Sequence, residues 1–232
     1  MMRADGSTCG YADLPALMSR MTGDEKHGPS ATSTLDVLWV LYDRILSVAP
    51  EMVDRPERDR FILSKGHGPM AYYAVLAAKG FIPDEWLDGF GGFDSPLGQH
   101  PDRALVPGVE FASGSLGHGL PVAIGIALAL KARALTARVF VLVGDAELDE
   151  GSNHEAIALA GRMGLHRLTA VVIDNSSARF GWPDGIEKRF AVEGWEPLVV
   201  DGHEHDAITG AFSVPPGDRP RVVVAHTRAK GS

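Results

Sequence analysis

Cysteine is almost missing from this chain. Cys9 is the one thiol among 232 residues, so no internal disulfide can form and the protein needs no oxidising compartment. Long apolar runs are missing as well. The longest, near Leu120 to Leu130, is well short of the roughly 20 residues of a membrane span, and the N-terminus MMRADGSTCGYADLPALM has no apolar signal-peptide core. These absences point to the cytoplasm and away from a membrane. Positive charge is scarce too. The net charge is −8, and the lysines and arginines are scattered without forming a stripe, which argues against a nucleic-acid partner. No internal repeat or low-complexity tract is present. What is present, 45% hydrophobic residues over this length, suffices for one sizeable core, with small molecules and protein as the expected partners.

The rest of the chain is arranged around VFVLVGDAELDEGSNHEAIALAGRMGLHRLTAVVIDN, Val139 to Asn175. Val139 to Val143 is a continuous apolar run rich in β-branched residues and too short for a buried helix. It reads as an interior parallel strand that Gly144 and Asp145 end. Asn153 is placed to cap a helix whose Ala156, Leu159, Ala160 and Met163 recur at helical spacing. A second strand, Leu168 to Ile173, runs into Asp174 and Asn175. A right-handed crossover would bring Asp145 and Asn175 together at the carboxyl ends of the strands, where open α/β sheets bind ligands. One carboxylate and one amide oxygen suit Mg²⁺ or Ca²⁺, with the remaining coordination supplied by a diphosphate. The expected fold is therefore α/β, a doubly wound, mostly parallel sheet with helices on both faces.

Residues 1–22 read as a peripheral lead-in with one short amphipathic helix through Leu14, Leu17, Met18 and Met21, followed by one domain over 23–232. His27 lies in a Gly, Pro and Ser loop before a helix capped near Ser33 or Thr34. Residues 59–80 give a short strand, a turn with Lys65 and His67, and a helix with Ala71, Val75 and Ala78 on one face. Gly114, Gly117 and Gly119 allow a backbone to approach a ligand closely, and the N-terminus of the apolar helix behind them is placed to receive a diphosphate or another part of the same ligand. Near the end, His203 and His205 read as a polar loop before a helix capped by Asp206, because no Cys or third His accompanies them as a metal set. A last strand, Arg221 to Ala225, leads into His226.

Segments spread along residues 20–231 resemble, in the same order, the diphosphate-binding domain of the transketolase family. Gly144-Asp145 with Asn175 thirty residues on looks like the family's Gly-Asp-Gly and Asn. His27 to Asp36 is similar to Gly-His-x-Gly-Gly-x-Leu-Ser-x-x-Asp, and DRFILSKGH, ending at His67, matches a family segment over nine residues without a gap. His100-Pro-Asp, Pro107-Gly-Val-Glu, the run from Gly114 to Gly119 and His226-Thr follow in the family's sequence. The resemblance implies thiamine diphosphate with Mg²⁺ or Ca²⁺, and transfer of a two-carbon ketol unit between sugars or sugar phosphates. It further implies Asp145, Asn175 and the Ser177 carbonyl as metal ligands, and Gly114, Leu116, Gly117, Gly144, Asp145, Ala146, Glu150 and Asn175 along the cofactor. Glu150 would tie cofactor binding to subunit contact. His27, His67, His100 and His226 are the implied substrate-side residues, suited by a near-neutral pKa to hydrogen bonding and proton transfer.

The family places its cofactor between two domains, of which only the first is matched. A second polypeptide with the pyrimidine-binding and C-terminal domains is thus implied, in an α2β2 assembly. Ala146 replaces the family's second Gly and would be strained if the backbone there had positive φ. Two other readings are a degenerate subunit that binds a partner without turnover and the α-type subunit of a 2-oxo acid dehydrogenase. Ser64-Lys-Gly-His and His100-Pro-Asp argue against the second.

Overall fold

A computed structural model of the chain describes residues 9–23 and 28–228. Helices α1 (Leu14–Ser19), α2 (Gly28–Thr32) and α3 (Leu35–Val40) lead to strand β1 (Arg60–Leu63) and helix α4 (Met70–Ala78). Helix α5 (Gly119–Ala132), β2 (Val139–Gly144), α6 (Gly151–Arg162) and β3 (Leu168–Asp174) make the central unit. The chain then runs through α7 (Ile186–Val192), β4 (Glu196–Asp201), α8 (His205–Ser213) and β5 (Arg221–His226). All five strands are parallel, in the order β1-β2-β3-β5-β4. The expected doubly wound α/β sheet is what forms.

The continuous apolar strands follow from burial on both faces. Phe61, Leu63, Phe140, Leu142, Val171, Ile173 and Val223 point to one layer, which they share with α1, α3, α4 and α8. Ile62, Val139, Val141, Val143, Ala170, Val172 and Val224 point to the other, with α5, α6 and α7. Chain direction accounts for the split. The connections through α6 and α7 advance across the sheet, whereas the step from β4 to β5 comes back, so right-handed crossovers put α8 on the opposite face. Helix α4 is buried all round, more completely than the one-face pattern of Ala71, Val75 and Ala78 requires.

Two helices differ from their sequence patterns. In α6, Ala156 and Ala160 are buried but Leu159 and Met163 face outward, 48% and 41% exposed. Asn153 does not cap that helix: Glu150 takes the N-cap position, and Asn153 is buried one turn in, donating from Nδ2 to the Glu147 carbonyl at 2.7 Å. The lead-in is also less peripheral than its sequence suggests. Leu14, Leu17 and Met21 belong to the core, and α1 packs on α4.

One carboxylate fastens this segment. Asp36 on α3 accepts from the Tyr11 hydroxyl at 2.5 Å, from His205 Nε2 at 2.8 Å and from His203 Nδ1 at 2.8 Å. The two histidines thus fasten the start of α8 to α3, and Glu204 rather than Asp206 takes the N-cap position of α8. Burial alone would raise the Asp36 carboxyl, but the hydrogen bonds from Tyr11, His203 and His205 outweigh it and hold its pKa below the ordinary 3.8. A depressed folded pKa contributes stability that is present above pH 3.8 and lost as pH falls through the lower folded value. Asp36→Ala is therefore expected to lower unfolding free energy by about 2–4 kcal/mol at neutral pH, as three donors lose their acceptor. Denaturant melts at pH 7 and pH 3 check it: the mutant deficit must shrink on the acid side.

Candidate functional site

Parallel strands deliver the residues after each strand to one edge, and the sequence puts polar residues at those places. Asp145, after β2, is 1% exposed, and its carboxylate is held by the loop after β3. Oδ2 accepts from the backbone N–H groups of Ser177 at 2.6 Å and Ala178 at 3.0 Å, and Oδ1 accepts from the Ser177 hydroxyl at 2.6 Å. Three of about four lone-pair positions are filled, leaving room for one more partner. Ser176, with φ of 57°, makes the left-handed turn that sends Ser177 back over Asp145. Farther along, the same loop is anchored by Trp182, whose ring stacks on His154 of α6 at 5.0 Å.

Asn175 is 2% exposed. Its Nδ2 lies 3.4 Å from the Ser33 hydroxyl, while its Oδ1 is buried without a hydrogen-bond partner. A buried amide oxygen left this way is costly, so it calls for a cation or another donor. Among the described residues no three His, Cys, Asp or Glu side chains gather as a metal set. A cation at this corner would rest on one carboxylate, one amide oxygen and oxygens from a ligand, which is a hard-ion donor set. The two residues and the glycine cradle beside them fit a diphosphate and a divalent ion.

That cradle is set by close approach. A Cβ on Gly114, at φ of 130°, would stand 2.9 Å from the His100 ring, and one on Gly117, at φ of 84°, would stand 2.6 Å from Glu150 Cβ and Ser152 Oγ. The His67 and His100 rings meet edge to face with centroids 4.9 Å apart, so the two loop histidines share one place. Lys65, buried, donates from Nζ to the Ser30 carbonyl at 2.9 Å and to its hydroxyl, and Ser30 Oγ donates to the His67 carbonyl at 3.1 Å. This ties α2 to the loop after β1.

Two N–H groups, one in the glycine loop and one at the first residue of α5, already have acceptors within the chain. Gly117 N–H donates to Glu147 Oε1 at 2.9 Å, and Gly119 N–H donates to the Ser64 hydroxyl at 3.0 Å, which in turn donates to Glu147 Oε1. Glu147 was invisible in the sequence as a site residue. Its only sign is a carboxylate in a short turn, Ala146–Asp149, that begins directly after a buried strand. Ala146 lies in that 3-10 turn and is not among the described non-glycine residues with positive φ, so Ala for Gly brings no strain there.

The remaining residues are spread along the edge. Glu150 is exposed beside Gly117, and Leu116 is half-buried in the glycine loop. His226 ends β5, exposed, with Nδ1 3.0 Å from Asp174 Oδ2 across the strand pair. It is thereby engaged with the end of β3, apart from the His67 and His100 pair in its contacts. His27 lies outside the described residues. Gly114→Ala should destabilise the fold by about 1–3 kcal/mol, from a positive φ and from displacing His100. Urea unfolding measures it, and a loss under about 0.5 kcal/mol would mean that loop and ring yield freely.

Comparison with known proteins agrees with this geometry. Residues 21–229 match the family model described as transketolase, thiamine diphosphate binding domain. The chain is 57% identical over 225 residues to a Rhodococcoides fascians protein named ferredoxin fas2, covering 97% of this chain and 74% of that one. One cysteine is too few for the four thiolates of an iron–sulfur cluster, so the ferredoxin of that name has no counterpart within these 232 residues. It is 38% identical over 208 residues to an apulose-4-phosphate transketolase subunit from Actinobacillus succinogenes, covering 87% of this chain and 75% of that protein. Among solved structures, transketolase from Pichia stipitis in complex with sedoheptulose 7-phosphate superposes with a TM-score of 0.79 at 26% identity, covering 94% of this chain. The chain spans 36% of that enzyme's length.

Proposed function

The chain belongs to the transketolase family through its thiamine diphosphate-binding domain, and from that premise we propose that it is the diphosphate-gripping subunit of a two-chain transketolase. In this reading it works with a second polypeptide that carries the pyrimidine-binding and C-terminal domains, in an α2β2 assembly. The observation that carries the proposal is the corner at Asp145 and Asn175: a held carboxylate beside a buried amide oxygen that has no partner. Those two side chains and the Ser177 carbonyl would hold Mg²⁺ or Ca²⁺, and the ion would carry the diphosphate. Gly114, Leu116, Gly117, Gly144 and Ala146 would line the cofactor.

When bound, the cofactor would supply a carbanion-stabilising centre for cleavage and formation of a carbon–carbon bond. The chain's own part is orientation and proton movement. His67 and His100, ring against ring at the cradle, are positioned to hydrogen-bond a sugar hydroxyl and to take or return its proton. His27 and His226 are proposed for the same side of the site, His226 with Asp174 fixing its ring. The substrates on this reading are a ketose or ketose phosphate donor and an aldose acceptor, and the relative named for apulose 4-phosphate supports a sugar phosphate.

The second chain is supported by surface as well as by relatives named as subunits. Helix α5 is apolar nearly throughout, yet Val122, Gly125 and Ala129 lie exposed, with Ile126 and Leu128 only half-buried. Leu159 and Met163 of α6 are exposed on the same layer. An unpartnered apolar stripe of this kind marks an interaction surface. Glu150 stands at its end beside Gly117, where partner contact and cofactor cradle would meet. No described helix is long and apolar enough to cross a membrane, and we place the protein in the cytoplasm on this reading.

Three measurements test it. Calorimetric titration of thiamine diphosphate with MgCl₂ should give saturable binding that Asp145→Ala abolishes, because the one carboxylate of the corner is gone. His67→Ala and His100→Ala should each lower kcat by about 10²–10⁴-fold with a smaller change in cofactor affinity. Ketol transfer should be absent with the purified chain alone and appear on adding the second polypeptide. Turnover by the isolated chain would overturn the two-chain assignment.

A further inference from the structure

The diphosphate corner accounts for Asp145 and Asn175 but leaves a second buried carboxylate in the same edge without a task. Glu147 is 1% exposed, and every polar contact it makes goes to a different segment of the cradle. Oε1 accepts from the Ser64 hydroxyl, which belongs to the loop that leads to His67, and from Gly117 N–H at 2.9 Å in the glycine loop. Oε2 accepts from Gly144 N–H at 3.2 Å, the last residue of β2 before Asp145. Through Ser64 the carboxylate also reaches Gly119 N–H at the start of α5. Its own carbonyl accepts from Asn153, which links the turn to α6.

We propose that Glu147 is the positioning residue of the cofactor edge: a built-in anion at the start of α5 that holds the histidine loop, the glycine loop and the Gly144-Asp145 strand end in one arrangement. The inference rests on the proposed cofactor site. All three donors are N–H or O–H groups aimed at an acceptor, so a carboxylate satisfies them and no neutral isostere can. Its negative charge sits at the positive end of a fourteen-residue helix, with the Lys65 ammonium acting on it from the same loop. Burial raises the Glu147 carboxyl, and the Ser64, Gly117 and Gly144 donors work against that rise.

Glutamine distinguishes this role from packing. It keeps the volume but offers one oxygen and one NH₂, so serving Gly117 and Ser64 leaves NH₂ facing Gly144 N–H, and the flipped rotamer reverses the conflict. Hydrogen exchange on the full chain without cofactor is expected to show amide exchange about tenfold faster or more at Gly144 or Gly117 in Glu147→Gln, with Val141 and Val172 unchanged. In Glu147→Ala both glycines should exchange faster, and sodium acetate, but not sodium chloride at equal ionic strength, should restore their protection. Titration of the same proteins with thiamine diphosphate and MgCl₂ should show affinity at least about tenfold weaker in both variants, with acetate recovering the alanine variant. Unchanged exchange at both glycines overturns the proposal. Altered exchange with unchanged cofactor affinity overturns it too, since Glu147 would then tie the loops without positioning the cofactor. If the wild-type chain takes up no thiamine diphosphate either alone or together with the second polypeptide, the proposed function falls and this inference with it, whatever the exchange shows. Should both variants fail to fold, Ser64→Ala carries the test: faster exchange at Gly119 with weaker cofactor binding supports it, and no change in either overturns it.

Discussion

The bonds from Ser177 and Ala178 to the Asp145 carboxylate fix one strand's loop against the end of its neighbour, and the rest of the edge depends on that fixation. β2 and β3 pair in register, Gly144 opposite Ile173, so Asp145 and the residues after Asp174 start side by side. A carboxylate at that junction would repel a diphosphate if it stood alone. Held by three donors, it stays in one rotamer with one lone-pair position left open. The left-handed Ser176 makes the geometry possible, and strain of that kind persists only where its surroundings hold it.

Buried carboxylates organise this protein at several points, each by the same rule. Asp36 gathers Tyr11, His203 and His205. At the other end of the sheet Asp59 takes the backbone N–H of Ser47 at 2.9 Å and of Arg138 at 2.8 Å, together with the Arg138 guanidinium. Asp145 and Glu147 do likewise at the cofactor edge. A buried carboxylate costs free energy unless its oxygens are satisfied, and satisfying them requires donors from several segments at once. The need for donors makes each one a fastening between pieces of chain far apart in sequence. The two at the carboxyl edge add a function to the fastening, because the segments they join are those that carry the site.

Much of this was legible in the sequence, and the exceptions share a cause. Strands β1, β2, β3 and β5 showed as apolar runs because both of their faces are covered, whereas β4 is half-exposed along its length and lacks such a run. The edge positions of Asp145, Asn175 and His67 were legible because each comes after a strand and a parallel sheet sends such residues to one edge, whereas His100, in the segment between α4 and α5, follows no strand and was named by the family resemblance. The helical spacing of Ala156, Leu159, Ala160 and Met163 indicated α6, but periodicity does not tell which of them are covered, and Leu159 and Met163 are exposed. Glu147 could not be read at all. Its partners are backbone N–H groups of glycines and a serine eighty-three residues away, and no spacing in one sequence records a backbone donor. For the same reason the sequence did not show that the Gly117 and Gly119 N–H groups are taken within the chain.

The outer face of α5 bears on how site and assembly are related. A helix apolar on nearly all sides is ordinarily enclosed, and here one side is enclosed by the sheet and α6 while Val122, Gly125 and Ala129 stay uncovered. This helix begins at Gly119, whose N–H is joined through Ser64 to Glu147, and the loop before it contacts Glu150 through Gly117. Anything that covers the helix therefore presses on an element whose first turn is bonded to the cofactor cradle. On the proposed two-chain reading, partner docking and cofactor enclosure are then coupled free energies, each favouring the other to the same degree. On the same reading the cradle formed by this chain would gain its water-excluding wall when the second chain docks on α5.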